Sequence, residues 1–213
     1  YTEENTLSLH DALPISPFLS TAVLAAAAIR RGGNAAQQAA LLPKIAAAER
    51  VVALALDEGV KHRPGAIATK AVRDGAGYRI DGDKTLVVDG HVADTLIVAA
   101  RVAGDGDPVA LFLVDAKAPG VALERTVMVD AHNAARVRLT GVRVAGDALL
   151  GSVEGGVALL EEVLDIGRAV LASELLGIAD EVFARTLTYL KERKQFGRII
   201  GEFQALQHRA SEL

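Results

Sequence analysis

Between residues 50 and 148 the chain carries eight short runs of β-branched and aliphatic residues, each ending in a turn signal. The runs are Val51–Leu56, Ala66–Arg73, Tyr78–Asp81, Thr85–Val88, Thr95–Val102, Val109–Val114, Val121–Val127 and Ala135–Val144. The turns read Asp74-Gly75, Asp81-Gly82, Asp89-Gly90, Gly104-Asp105-Gly106, Pro119-Gly120 and Thr140-Gly141. Runs spaced this regularly argue for an antiparallel β-barrel or sandwich. No G-x-G-x-x-G follows a strand and opens a helix, which sets aside a Rossmann cofactor site.

The flanks are helical, so the chain reads as an α+β multidomain protein. Residues 17–49 hold an alanine-rich helix capped by Ser20 or Thr21 and stopped at Gly32-Gly33-Asn34. A second helix follows from about Ala35 to Leu42, and Pro43 opens a further turn. Residues 1–16 are polar, acidic and without periodicity, and Ser8 to Ser16 is similar to translated adapter sequence; they are set apart as a non-native leader.

From 149 onward the helical period returns. Leu164, Arg168, Leu171, Leu175, Ile178 and Val182 recur at spacings of four and three and line one stripe. Arg168 is the exception in that stripe: a buried or half-buried arginine needs an anionic partner. Asp165, three residues earlier, is within reach on a helix. The helix ends at Arg193-Lys194-Gln195-Phe196-Gly197, and after Gly201 a second amphipathic helix carries Phe203, Leu206, Ala210 and Leu213 on one face. Arg193 can offer a planar charged fork to a phosphate, with Phe196 and Gln204 as wall and amide handle. Basic residues in a last helical turn also complement the helix dipole with no ligand at all.

Composition narrows the classes. Hydrophobic residues make up 51% and charged residues 23%, an ordinary balance for a soluble globular chain with a real core. The net charge of -4 argues against a nucleic-acid or anionic-membrane surface. The apolar run Val23–Ile29 is too short to span a membrane, and Arg30 and Arg31 follow it, the wrong order for a signal peptide. The lack of cysteine excludes a disulfide scaffold, a thiolate metal site and a catalytic thiol, and suits a cytoplasmic location. His10, His62, His91, His132 and His208 form no H-x-x-x-H pattern, so no metal site is expected.

Arg193-Lys194-Gln195-Phe196-Gly197, then Ile199 and Phe203-Gln204, following the Asp165-x-x-Arg168 helix, resembles the acyl-CoA dehydrogenase family. Gly82-Asp83-Lys84 falls where that family has a Gly-x-Lys strand. Asp89-Gly90-His91-Val92-Ala93-Asp94 falls at its Asn-Gly-x-x-Ala-Asp turn, and Leu41-Leu42-Pro43-Lys44-Ile45 is similar to the close of its N-terminal helical domain. The resemblance covers about 17–213 and is strongest over 165–208. It implies the end of an N-terminal helical domain at 17–49, a middle β domain at 50–148 and the start of a C-terminal helical domain at 149–213.

The function implied is FAD-dependent α,β-dehydrogenation of an acyl-CoA thioester in fatty acid metabolism and β-oxidation. A carboxylate base takes the α proton, and the β hydrogen leaves as hydride to flavin N5. Arg193, Gln195, Phe196 and Gln204 are implied to contact FAD, largely across a subunit interface. Leu56, Asp57 and Val88 stand at the flavin loop and strand, and Asp165 and Arg168 at the acyl-CoA site. Implied partners are electron-transferring flavoprotein and further copies of the chain, as a dimer or tetramer.

The chain departs from the family pattern at the flavin. Leu56-Asp57-Glu58-Gly59 stands where the family has Thr-Glu-Pro-x-x-Gly-Ser-Asp, and Leu86-Val87-Val88 stands for its Trp-x-Thr. Val88 has no hydroxyl to offer flavin N5, and Leu86 cannot stack as an indole does. His62 and Arg63 are the replacements to test as flavin or phosphate contacts, against a reading as solvated loop residues. The base is expected beyond Leu213. The alternative family position falls at Gly167, which cannot act, so no catalytic residue is assigned and the piece is not expected to turn over alone. Two alternatives stand beside this reading: a non-catalytic partner subunit of a heteromeric dehydrogenase, and a related flavin oxidase or monooxygenase.

Overall fold

The structure, a computed structural model, describes residues 17–104, 106–128 and 133–212. Residues 1–16, expected from the sequence to be a non-native leader, and the centre of the Gly104-Asp105-Gly106 turn, His132 and Leu213 lie outside the described residues. The chain divides into two compact units, one ending at Gly167 and one starting at Arg168.

The first unit opens with a π-wound helical segment, α1 (Phe18–Ala25), continuous with α2 (Ala26–Gly32). Ser20 and Thr21 do not cap it. Both are buried inside α1, where Thr21 Oγ1 donates to the Val52 carbonyl at 2.9 Å and Ser20 Oγ donates to Asp89 at 2.5 Å. Asn34 caps α3 (Ala35–Ala46) in a reciprocal pair with Gln37, and Pro43 lies inside that helix rather than opening a new turn.

Eight strands form one sheet: β1 (Val52–Ala55), β2 (Lys70–Asp74), β3 (Gly77–Val88), β4 (Thr95–Val102), β5 (Val109–Asp115), β6 (Val121–Val127), β7 (Asn133–Val144) and β8 (Leu149–Leu150). The order is β6-β7-β3-β2-β4-β5-β8, with β1 also on β4. The α+β architecture is as expected, but the sheet is mixed. Both β1 and β2 run parallel to β4, β1 against Thr95 to Val98 and β2 against Arg101 and Val102. Turn dipeptides govern only neighbours, such as the β2–β3 hairpin through Asp74-Gly75. The β1–β4 pairing joins residues more than forty positions apart, and no local signal reaches that far. Asp81-Gly82 is likewise no turn. It lies within β3 at one of two register shifts, and a Cβ on Gly82 would come within 2.8 Å of Thr69 Cα.

The apolar run of β4 is buried on both faces. Leu96, Val98 and Ala100 pack with Tyr78, Ile80 and Phe112, the Tyr78 and Phe112 rings meeting edge-on at 4.9 Å. Ile97 and Ala99 face the other way, under Ala25, Ala28 and Ile29 of the helices and Leu160, Val163 and Leu164 of α4 (Gly156–Glu192). The first turns of α4 thus clamp the sheet.

In the second unit, α4 continues from Arg168 to Glu192. The expected glycine break is a two-stranded hairpin, β9 (Lys194–Gln195) and β10 (Arg198–Ile199), leading into α5 (Gln204–Ser211). Phe196 and Gly197 both take positive φ at its turn, 54° and 81°. Arg168 is exposed, not buried, and Leu171, Leu175, Ile178 and Val182 of the same stripe are 42–57% exposed, so the described residues of this unit do not bury that face. Among the described residues no helix is long and apolar enough to cross a membrane.

Gly156 opens α4 flat against β5, where an added Cβ would come within 2.7 Å of Ala110 Cα. Gly156→Ala must therefore push the helix off the sheet, at a cost of about 1–3 kcal/mol. Urea unfolding of the purified protein should show that loss as a lower midpoint; an unchanged midpoint would mean that α4 is not seated on β5.

Candidate functional site

Strand β3 alternates inward positions at Tyr78, Ile80 and Lys84, and Lys84 has no exposed surface. Its ammonium donates to Glu58 Oε1 at 2.7 Å and to the Leu56 carbonyl at 3.1 Å. Glu58 also accepts from the amides of Ala68 (2.6 Å) and Thr69 (2.9 Å) and from the Thr69 hydroxyl (2.7 Å). One partly buried carboxylate thus gathers both ends of the 56–69 connection onto β3. Burial raises the Glu58 carboxyl, but the bonds from Lys84, Thr69 and Ala68 outweigh it and hold the group below its ordinary value. Burial lowers the Lys84 ammonium, while the bond and charge of Glu58 oppose the shift.

The anchored connection forms one wall of a cleft of about 180 Å³. Leu54, Leu56, Leu86 and Val88 come from the sheet side, Leu24 from α1 and Leu164 from α4. Ser20, Asp57, His62 and Thr85 supply its polar atoms. Leu86 sits at the second register shift of β3 with φ 51°, and it and Val88 are 42% and 39% exposed on the end of the strand that pairs with β7 and lies beyond its pairing with β2. Across the cleft, His62 Nδ1 lies 2.8 Å from Asp57 Oδ2. A carboxylate only accepts, so Nδ1 carries the proton. Asp57 Oδ1 takes the Arg63 amide at 3.0 Å, and the Asp57 carbonyl takes the Thr85 amide at 2.7 Å. Arg63 itself lines a neighbouring hollow of about 450 Å³ with Lys61 and Val60.

The structure brings Leu56, Asp57 and Val88 together in this cleft, and adds His62. His62 is an exposed loop residue whose ring Nδ1 partners Asp57. Gly167 is buried against α1, where a Cβ would come within 2.6 Å of Leu24 Cδ2, so packing accounts for the glycine. Asp165 is exposed on α4. Arg193, Gln195, Phe196 and Gln204 are exposed in the second unit, at the end of α4, on the hairpin and at the start of α5. There Phe196 is 91% exposed, and Phe203 packs under it edge-on at 6.3 Å with the Arg198 guanidinium over its ring at 4.5 Å. Glu58 and Lys84 both stand in the motifs named above, but their pairing was not legible there, although Lys84 stands in phase with Tyr78 and Ile80 and an inward lysine calls for a carboxylate. The Ser20–Asp89 bond spans 69 residues and left no local trace.

The cleft beside the sheet is apolar on its floor and polar on its rim, the composition common to small-molecule pockets. Comparison with known proteins then identifies the chain further. Residues 154–213 match the model of the acyl-CoA dehydrogenase C-terminal domain. Cyclohexane-1-carbonyl-CoA dehydrogenase of Geobacter metallireducens is 33% identical over 181 residues, covering 83% of this chain and 48% of the relative. A steroid acyl-CoA dehydrogenase named for two components, Tcur3481-Tcur3483, is 38% identical with a TM-score of 0.79 over 92% of this chain and 51% of its own. The fold also matches a glutaryl-CoA dehydrogenase of Mycobacterium smegmatis in complex with FADH2, at TM-score 0.84 and 24% identity, covering 91% of this chain and 50% of that one. The chain belongs to the acyl-CoA dehydrogenase family, and it spans about half the length of the curated relatives it matches.

Glu58 contributes stability above its ordinary pKa of 4.5, and that contribution is lost as pH falls through its depressed folded value. Glu58→Gln leaves the Lys84 ammonium buried without its charge partner and should cost about 3–5 kcal/mol. Denaturant melts at pH 7 and pH 3 should show the parent losing stability on acidification and the variant losing less. A variant as stable as the parent at pH 7 would rule out the anchoring role.

Proposed function

We propose that the protein acts as an FAD-dependent acyl-CoA dehydrogenase and that the cleft between the 54–62 segment and Leu86–Val88 forms part of its flavin site. The observation that carries this reading is two part-exposed aliphatic side chains, Leu86 and Val88, on the end of β3 that β2 does not cover, facing a rim of hydrogen-bonding groups. That combination fits a flat ring, apolar on its faces and polar at its edge. FAD, when bound, supplies the two-electron acceptor for α,β-dehydrogenation of an acyl-CoA thioester.

Leu54, Leu56, Leu86, Val88 and Leu164 would keep water from the ring, which strengthens every polar contact inside. The Glu58–Lys84 anchor holds the Asp57 wall in register with the strand. Arg193, with Gln195, Phe196 and Gln204, would serve the phosphate and apolar parts of the cofactor, Arg193 as a charged fork. Asp165 and Arg168 would serve the acyl-CoA. Gly167 carries no side chain that can take a proton, and no catalytic base is assigned here. Electron-transferring flavoprotein as acceptor and a dimeric or tetrameric assembly complete the reading.

A second reading is favoured by Val88, which lacks a hydroxyl, and by the two-component name of the steroid relative. In that reading the chain is a partner subunit that no longer holds FAD. One measurement separates the two: the visible spectrum of the full-length protein before and after acyl-CoA addition. The dehydrogenase reading expects a flavin spectrum that bleaches with at least one acyl-CoA. A folded, colourless protein that takes up no FAD would decide for the partner subunit, and a coloured protein that no acyl-CoA bleaches would point to an oxidase or monooxygenase.

A further inference from the structure

Most polar atoms on the cleft rim already have partners within the protein. The Ser20 hydroxyl is committed to Asp89 at 2.5 Å, and the Thr85 hydroxyl donates to the Gly59 carbonyl at 2.9 Å. Asp57 spends Oδ2 on His62 and Oδ1 on the Arg63 amide. Val88, Leu86 and Leu56 have no polar side-chain atom. Among the described residues this leaves His62 Nε2 as the one side-chain nitrogen of the cleft without a protein partner. The imidazole is 56% exposed at the mouth while its Asp57 anchor is only 21% exposed, so the outer nitrogen is the one presented to a ligand.

We propose that His62, oriented by Asp57, is the polar contact this chain offers to the edge of the flavin ring, in place of the strand hydroxyl that Val88 cannot supply. The inference rests on the FAD reading above and adds a residue to it. Asp57 fixes which nitrogen is protonated: with the Nδ1 proton directed at the carboxylate, Nε2 accepts as a neutral imidazole and donates as an imidazolium. A flavin edge carries both ring acceptors and an N–H donor, so either state finds a complement. The contact would come from the loop wall that carries Asp57. Asp57 acts as the positioning residue, and its own carbonyl ties that wall to Thr85 of β3 at 2.7 Å.

The test is FAD titration of the full-length apoprotein, followed by flavin fluorescence and by the absorbance maximum of the bound flavin. His62 is a half-exposed loop residue, so its replacement spares the core. His62→Phe should weaken FAD about tenfold and shift the absorbance band, while His62→Gln, whose amide reaches the Nε2 position, should stay within about threefold of the parent. The proposal is overturned if His62→Phe binds FAD like the parent with an unshifted band, or if His62→Gln is as weak as His62→Phe. Either result leaves the FAD reading standing, because the parent still binds. A parent chain that takes up no FAD overturns both together.

Discussion

A lysine ammonium with no exposed surface is tolerable only if its charge is met, and the architecture of the cleft follows from how Lys84 meets that demand. Its partner Glu58 is not on the same strand but in the connection between β1 and β2, and the same carboxylate collects the amides of Ala68 and Thr69. A segment of more than ten residues without regular structure is thereby closed on itself and fastened to β3. Leu56 and Asp57 inherit their places from that closure, since Lys84 also holds the Leu56 carbonyl.

Strand β3 has to do two things at once, and its register shifts are how it does both. Its first half pairs with β2 and β7 as an interior strand of the sheet. Beyond Lys84 a second shift puts Leu86 at positive φ and leaves Leu86 and Val88 facing the cleft instead of closing the core. Gly82, where Thr69 leaves no room for a Cβ, lets the connection pass close to the strand just before the anchoring lysine. Cleft wall and anchor therefore lie two to four residues apart on one chain segment.

Much of this was legible in the residues. The β-rich middle, the helical flanks and the family were read from run spacing, turn dipeptides and the Arg193 to Gln204 motif, because each depends on neighbours a few positions apart. The departure at Leu56, Asp57 and Val88 was legible as well, and it is where the cleft lies. Less visible were the parallel placement of β1 and β2 on β4, the bulge at Asp81-Gly82 that reads locally as a turn, and the interior bonds of Ser20 and Thr21 that read locally as caps. In each, a partner tens of residues away overrode a local preference.

The sequence by itself determined the class of fold, the family, and the absence from this chain of a hydroxyl at Val88 and of an acid at Gly167. Those are matters of residue type and short spacing. Only the tertiary structure decided that Glu58 answers Lys84, that His62 answers Asp57, and that Arg168 stands exposed while Lys84 is sealed. A buried charge selects its partner by distance in space, and the sheet, not the order of residues, sets that distance.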